Sequence, residues 1–79
     1  MNRIKIEGSS NIAEIGYNGE TMTLEVKFLS SMIYQYWPIT RTGWESLMKA
    51  ESKGKYFAKH IRNNSQINFK MVDGMQSEK

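Results

Sequence analysis

The stretch Thr21-Met22-Thr23-Leu24-Glu25-Val26-Lys27-Phe28 alternates polar and apolar side chains without a break. A period of two is that of a β-strand, in which successive side chains point to opposite faces of the sheet. Every second residue from Met22 to Phe28 is apolar, so one face of this strand is suited to a core and the other to solvent. The pattern predicts a strand of an antiparallel sheet that is buried on one side.

The residues on either side of this stretch predict two hairpins. Asn18-Gly19 is typical of a two-residue type I′ turn, because both residues tolerate the positive φ angles that the turn requires. Before it, Ile12 to Tyr17 is expected to form a strand. After the central strand, Leu29-Ser30-Ser31 predicts a turn and Met32 to Trp37 a third strand, which ends at Pro38 because proline cannot donate to the ladder. The middle of the chain therefore predicts a three-stranded antiparallel meander.

Two short helices are expected after the meander. Thr42-Gly43-Trp44-Glu45 matches a capping box, in which the threonine hydroxyl and the glutamate carboxylate bond to backbone N–H groups of the first turn. The apolar residues that follow at i, i+3 and i+4 predict one stripe packed on the sheet: Trp44, Leu47 and Met48. Ser52-Lys53-Gly54 interrupts this pattern, and helical spacing resumes from Tyr56 to Arg62.

Both ends of the chain carry weaker strand patterns. Arg3 to Glu7 alternates polar and apolar residues, and so does the run from Gln66 to Met71, which predicts a fourth strand or a self-pairing arm. Asp73 to Lys79 is expected to be frayed. The predicted fold is α+β: a three-stranded antiparallel β-meander packed against one or two short α-helices, with room for extra short strands at the N- and C-terminal ends.

Length and composition restrict the classes of function. A chain of 79 residues predicts one domain, residues 1–79, with a small core. It has no cysteine and a single histidine, His60, which excludes disulfides, thiolate metal sites and multi-histidine metal sites. No nucleophile and base stand at a catalytic spacing, so we expect no enzyme and no cofactor. No apolar run is long enough for a signal peptide or a membrane span, and we expect a cytoplasmic protein without membrane contact.

Positive charge is concentrated in the second half of the chain. Residues 1–40 carry three basic and four acidic side chains, a net charge of −1, whereas residues 41–79 carry eight basic and four acidic ones, a net charge of +4. Much of the excess lies in one stretch, in which five cations accompany only Glu51: Lys49, Lys53, Lys55, Lys59 and Arg62. Such clustering predicts a face that binds phosphate groups. An ordinary solvated helix surface would have the same composition.

Aromatic side chains on the third predicted strand form a first candidate site. Tyr34 and Tyr36 are two residues apart and share one face of the strand, whereas Trp37 points to the other face. Exposed aromatic rings on a sheet can stack against nucleotide bases. Alternatively, the two tyrosines cover the edge of the core and keep their hydroxyl groups at its rim. Either face of this strand could join the core.

The basic stretch forms a second candidate site. Ser52, Lys53, Gly54 and Lys55 precede a predicted helix, where free backbone N–H groups and lysines favour an anion, although they also suit an ordinary helix start. Lys59 and Arg62 then follow Lys55 at i+4 and i+7 and are expected to share its face. His60 lies beside that face and could bond to a phosphate or a base, although a lone histidine is more often a plain surface residue.

Several motifs in order resemble the KTSC domain, a family of about sixty residues named after the C-terminus of some lysyl-tRNA synthetases and also known as free-standing small bacterial and phage proteins. The resemblance rests on these segments: Ser9-Ser10-Asn11-Ile12, Ile15-Gly16-Tyr17, Leu24-Glu25-Val26-Lys27-Phe28, Tyr34-Gln35-Tyr36, Ala50-Glu51-Ser52-Lys53-Gly54-Lys55-Tyr56-Phe57 and Ile61-Arg62. It runs from about residue 9 to 62, which leaves 63–79 as an extra arm or partly disordered tail. Trp37-Pro38 departs from the family, which places a Val-Pro a few residues after the tyrosine pair.

The resemblance implies a fold and a site at Tyr34, Tyr36 and the loop from Ser52 to Lys55; RNA binding has been suggested for the family. We therefore expect a non-enzymatic module that binds phosphate-bearing nucleotide ligands by aromatic stacking and a Lys/Arg phosphate site. The ligand would be RNA, or a cyclic nucleotide messenger sequestered by a homo-oligomer, as a phage sponge protein would do in the host cytoplasm. The alternative is a protein–protein adaptor that uses exposed edge strands and a Met/aromatic surface.

Overall fold

Five antiparallel strands, joined in chain order, form a single sheet in the computed structural model, which describes residues 2–73. The strands are β1 (Arg3–Lys5), β2 (Ile12–Asn18), β3 (Thr23–Phe28), β4 (Ile33–Trp37) and β5 (Asn68–Asp73). Two short helices lie between β4 and β5: α1 (Arg41–Lys49) and α2 (Lys53–Phe57), which continues into a wider turn, Ala58–Arg62. The α+β prediction is correct. The predicted three-stranded meander corresponds to β2, β3 and β4, and the sheet extends it by one strand at each end.

The core lies between one face of the sheet and the helices. Val26 on the central strand is paired with Ile15 and Tyr34, and the neighbouring Leu24 is paired with Tyr17 and Tyr36. The fully or nearly fully buried apolar residues are Ile12, Ile15, Leu24, Val26, Tyr36, Ile39, Leu47, Phe57 and Ile61. The tyrosine face of β4 therefore joins the core, and Trp37 points to the opposite face of the sheet.

The turn between β2 and β3 differs from the predicted two-residue type I′ turn. Asn18 is paired with Thr23, which leaves a four-residue loop, Gly19 to Met22. The Asn18 Oδ1 atom accepts a hydrogen bond from the Glu20 N–H at 2.9 Å, as in an Asx turn, and Met22 takes the positive φ angle of 54°. Met22, predicted to share the apolar face of the strand, is instead exposed in this loop, and its carbonyl oxygen accepts a hydrogen bond from the Ile39 N–H at 2.8 Å.

Helix α1 begins two residues earlier than the capping box predicted. Thr40 is the N-cap residue, and its hydroxyl oxygen accepts a hydrogen bond from the Gly43 N–H at 3.1 Å. Thr42, predicted to be the cap, is an exposed residue inside the first turn. The predicted apolar stripe is confirmed, because Leu47 is fully buried and the Trp44 ring stacks on Tyr17 with 5.2 Å between ring centroids.

Helix α2 also begins earlier than predicted, at Lys53 rather than Tyr56. Ser52 caps it by accepting the Lys55 N–H at 3.3 Å. Gly54 packs tightly on the loop before β2: a Cβ atom there would lie 3.0 Å from the Asn11 Oδ1 atom. In the last turn the Asn63 N–H bonds to the Ala58 carbonyl oxygen, five residues back, so the turn is wider than that of an α-helix.

Ion pairs on the outer face of the sheet fasten the edge strand β1 to β2 and β3. The Arg3 Nε atom lies 2.8 Å from the Glu14 Oε1 atom, and the same guanidinium group also bonds to Glu25, which accepts a further bond from Gln35. The hydrogen bond from Arg3 lowers the pKa of Glu14. Gly16 allows β1 to come this close, since a Cβ atom there would lie 2.6 Å from the Asn2 carbonyl oxygen.

The C-terminal alternation forms a strand of the sheet, β5, in which Phe69 is paired with Tyr36. The predicted frayed segment, Asp73 to Lys79, begins with the last residue of β5, and residues 74–79 lie outside the described residues. None of the helices within residues 2–73 has the length and apolar character to cross a membrane.

Candidate functional site

An open cleft of about 680 Å³ lies where the end of the second helix meets the sheet. Its floor consists of four aromatic side chains: Phe28, Tyr34, Tyr36 and Phe69. Its rim carries Arg62 and Asn63 from the helix end, with Ser10 and Asn11 from the loop before β2. We call it the aromatic cleft. Its volume falls within the range of about 300–1,000 Å³ that is usual for small-molecule sites.

The rings on the floor of the aromatic cleft form a cluster on three strands. Tyr34 and Tyr36 lie 6.3 Å apart between ring centroids and are inclined by 26°, and Phe69 lies 6.1 Å from Tyr36 and 6.3 Å from Tyr34. Tyr36 is only 6% exposed because Phe57 of the helix packs edge-on against it at 5.1 Å. Phe69 is 64% exposed. The cluster therefore combines a buried supporting ring, Tyr36, with an exposed ring surface that a flat ligand could cover.

Charge at the rim comes from Arg62, which is exposed and stands close enough to Tyr36 to influence its ionisation. The pKa of Tyr36 is raised to about 12, chiefly by burial and to a smaller extent by the neighbouring Tyr34, while the positive charge of Arg62 partly offsets both. The Tyr36 hydroxyl is therefore neutral at physiological pH. The cleft presents a cation, phenol rings and the amide groups of Asn11 and Asn63 to a ligand.

A second cleft, of about 400 Å³, adjoins the first, and we call it the lysine cleft. Its walls include the predicted anion-binding residues, Ser52, Lys53, Gly54 and Lys55. The two clefts share Ser10 and Asn11. The Lys55 N–H is already bonded to Ser52, and the Lys53 ammonium group donates to the Ala50 carbonyl oxygen at 3.4 Å. The capacity of the lysine cleft for anions therefore depends on the lysine side chains more than on free backbone groups, and the carboxylates of Glu7 and Glu51 in the same lining oppose it.

Three residues of the predicted site lie apart from both clefts. Trp37 is on the opposite face of the sheet, and Lys59 is exposed without lining a cleft that we find in the described part of the chain. The His60 ring packs on Tyr56 at 4.3 Å and lines a third, smaller cleft. The wide last turn also separates Arg62 from Lys55, so that each lines a different cleft. The predicted common face of Lys55, Lys59 and Arg62 is not seen.

Comparison with known proteins shows which family the chain belongs to. The model of the KTSC domain family matches residues 8–64, which is most of the chain. The chain belongs to the KTSC domain family. The resemblance inferred from its motifs is thereby confirmed, and the match includes most of the aromatic floor and all of the predicted Ser52–Lys55 segment.

Relatives of this KTSC domain occur in proteins of very different length. A lysine–tRNA ligase of Trichormus variabilis is 42% identical over 59 residues, which are 75% of this chain but 10% of the ligase, so the chain spans about a tenth of such relatives. An uncharacterized protein of Stutzerimonas stutzeri is 33% identical over 72% of this chain and 79% of its own length. The crystal structure of a KTSC domain protein from Yersinia pestis superposes with a TM-score of 0.80 at 27% identity, covering 90% of this chain and 96% of that one.

Some residues of the aromatic cleft were missed by sequence reasoning. Phe69 lies beyond the segment matched by the KTSC model and reaches the cleft only because β5 is paired with β4. Its place in an alternating run indicated a strand but not the strand's neighbour. Asn63 and Ser10 lie in polar loop segments, which carry no signal for a cleft. Among residues 2–73, no three His, Cys, Asp or Glu side chains gather to hold a metal ion.

Proposed function

We propose that this KTSC domain is a non-enzymatic module that binds a phosphate-bearing nucleotide ligand in the aromatic cleft. The observation that carries the proposal is the position of Arg62 at the rim of a cluster of aromatic rings. A nucleotide needs both features together, because its base is flat and apolar on its faces while its phosphate is charged.

The chemistry of the cleft suits a base and a phosphate at the same time. Stacking of one base on an aromatic side chain contributes about 1–3 kcal/mol. The ring surface of Tyr34 and Phe69 would supply it, while the guanidinium group of Arg62 is able to bond to phosphate oxygens in a bidentate manner. The amides of Asn11 and Asn63 could bond to the edge of the base. Such weak and separate contacts support binding rather than covalent chemistry.

Two forms of ligand share this chemistry. A single strand of RNA could stack one base in the aromatic cleft and pass its backbone into the lysine cleft, since the two clefts meet at Ser10 and Asn11. The presence of related segments in lysine–tRNA ligases favours RNA. A small cyclic nucleotide, sequestered by a homo-oligomer as in a phage sponge protein, would use the aromatic cleft alone.

Replacing one cation inside the cleft and, in a separate variant, one cation outside it by alanine tests the proposal. Arg62→Ala should weaken binding of a labelled single-stranded RNA oligonucleotide and of a cyclic dinucleotide by about tenfold or more, because a charged hydrogen bond contributes about 1.5–3 kcal/mol. Lys59→Ala removes the same charge from an exposed position off the clefts and should leave affinity nearly unchanged. Fluorescence anisotropy measures both. If neither probe binds the unmodified protein, or if both variants weaken binding equally, the proposed site is wrong.

A protein–protein adaptor remains the second candidate, and a specific observation favours it. Large apolar side chains are exposed on both edge strands of the sheet: Ile4 on β1 and Phe69, Met71 and Val72 on β5. A partner strand could pair with such an edge. Native mass spectrometry of the protein as purified from its host would separate the two candidates. A retained nucleotide supports the module, whereas a retained protein without nucleotide supports the adaptor.

A further inference from the structure

Strand β5 differs from the other edge of the sheet in length and in what it exposes. Within residues 2–73, β5 has a hydrogen-bonded neighbour on one side only, which is β4. Phe69 is 64% exposed and Met71 52%, and both point to the face that carries the aromatic cleft. The helices pack against Tyr36 and leave this strand largely bare. An edge of this kind is a template for pairing with another strand.

The opposite edge, β1, is poorly suited to pairing. It has three residues, and two of them are the cations Arg3 and Lys5. Short length and charge are the usual protection of an edge strand. Pairing of β1 with β5 of another copy would be a head-to-tail contact, which generates rings or open filaments rather than a two-fold dimer. Pairing of β5 with itself closes after two copies.

We propose that two copies of this chain associate through β5, in an antiparallel pairing centred on Phe69. In this register Ile67, the residue directly before β5, faces Met71 of the other copy, so the side chains on the cleft side of the junction are apolar. On the outer face Asn68 of each copy faces Lys70 of the other, which pairs an amide with a cation. A register centred on Lys70 would place two cations opposite each other, which is unfavourable.

The pairing would complete the aromatic cleft, which is open on the side of β5. The two Phe69 rings would meet at the two-fold axis, and the two clusters of rings would form one continuous floor between the helices of both copies. Each copy then contributes a residue to the site of the other. This composite floor rests on the proposed function, whereas the dimer itself does not.

Changing charged residues on the outer face of the sheet tests the register without altering the residues that line the aromatic cleft. Asn68→Lys places a new cation opposite Lys70 twice in the dimer, and it should raise the dimer dissociation constant about 2- to 30-fold in sedimentation equilibrium. The double variant Asn68→Lys with Lys70→Glu restores an attractive pair and should recover the dimer. A protein that is monomeric at all concentrations, or a dimer indifferent to both variants, overturns the proposal.

A cysteine test checks the centre of the pairing, because the natural chain contains no cysteine. Phe69→Cys places two thiols directly opposite each other, at a distance that a disulfide spans, and mild oxidation should link the copies. Met71→Cys is the matched control, since in this register residue 71 faces Ile67, and it should link far less. Equal linking in both variants overturns the register. A monomer that still binds nucleotide overturns the dimer but leaves the proposed function intact.

Discussion

The side chain of Tyr36 belongs to the core, contacts the helix and lines the aromatic cleft. It is paired with Leu24 on one side and Phe69 on the other, and its ring receives the edge of Phe57 from the helix. The burial that makes it a core residue also keeps its hydroxyl neutral, with a pKa of about 12. Tyr36 is therefore the support of the aromatic cleft, and Tyr34 and Phe69 carry the surface that a ligand would touch.

The raised pKa of Tyr36 predicts a loss of stability at high pH. In the unfolded chain the phenol ionises near its ordinary pKa of 10.0, whereas in the folded protein it stays protonated until about pH 12. Between these values the unfolded state binds fewer protons, so the free energy of unfolding falls as pH rises, by about 2–3 kcal/mol in total. Urea unfolding at several pH values, with Tyr36→Phe as the control, measures it. The variant lacks this loss, and parallel pH profiles for the two proteins would contradict the assignment.

At the scale of residues, the sequence predicted which side chains share a face of one strand better than it predicted contacts between strands. The shared face of Tyr34 and Tyr36 follows from the period of two and is confirmed. Whether that face was buried could not be predicted, because both faces of β4 carry apolar side chains. Phe69 was not predicted to join the site, since its approach depends on the pairing of β5 with β4 over a long separation in sequence.

At the scale of elements, the starts of the helices show why a capping motif can be misplaced. Two threonines, Thr40 and Thr42, precede the apolar stripe of α1, and the capping box favoured the second because Glu45 stands three residues after it. The chain enters the helix after Pro38 and Ile39, and Ile39 is buried, which leaves Thr40 in the extended conformation of a cap. Tertiary packing therefore decided between two local signals.

Replacing each threonine by alanine in a separate variant tests which of the two caps the helix. Thr40→Ala should lower the free energy of unfolding by about 0.5–2 kcal/mol, because the Gly43 N–H loses its hydrogen-bond acceptor. Thr42→Ala should change it little or raise it slightly, since Thr42 is exposed within the helix and alanine favours helices. Thermal or urea unfolding of both variants gives the comparison. A larger loss for Thr42→Ala would restore the capping box as the true start.

The strands themselves were predictable to the extent that their patterns were local. Strand β3 and its two neighbours follow from alternation and turn residues, whereas the four-residue loop before β3 depends on a contact between Met22 and Ile39. Strands β1 and β5 were predicted as extra strands at the ends of the chain, but their pairings with β2 and β4 could not be predicted. They depend on Gly16, which admits β1, and on the long connection through both helices that returns the chain to β4.

At the scale of the whole molecule, the fold divides the basic stretch between two adjoining clefts. Arg62 stands at the aromatic cleft, Lys53 and Lys55 stand at the lysine cleft, and Lys59 lies outside both. A ligand that spans both clefts would meet three cations, whereas a ligand confined to the aromatic cleft would meet one. The number of cations engaged is measurable, because each phosphate contact releases counterions and makes the affinity depend on salt.

Salt titration of binding therefore distinguishes the two forms of ligand. For a single-stranded RNA that reaches all three cations, the logarithm of the association constant should fall as the logarithm of the salt concentration rises, with a slope of about −2. For a cyclic dinucleotide the slope should be about −0.7 or shallower. Removing both lysines, Lys53→Ala with Lys55→Ala, should bring the RNA slope to about −0.7. The same charge change off the clefts, Lys49→Ala with Lys59→Ala, should leave it near −2. Equal slopes in the two double variants would mean that RNA follows the general positive charge of the chain rather than the path through the clefts.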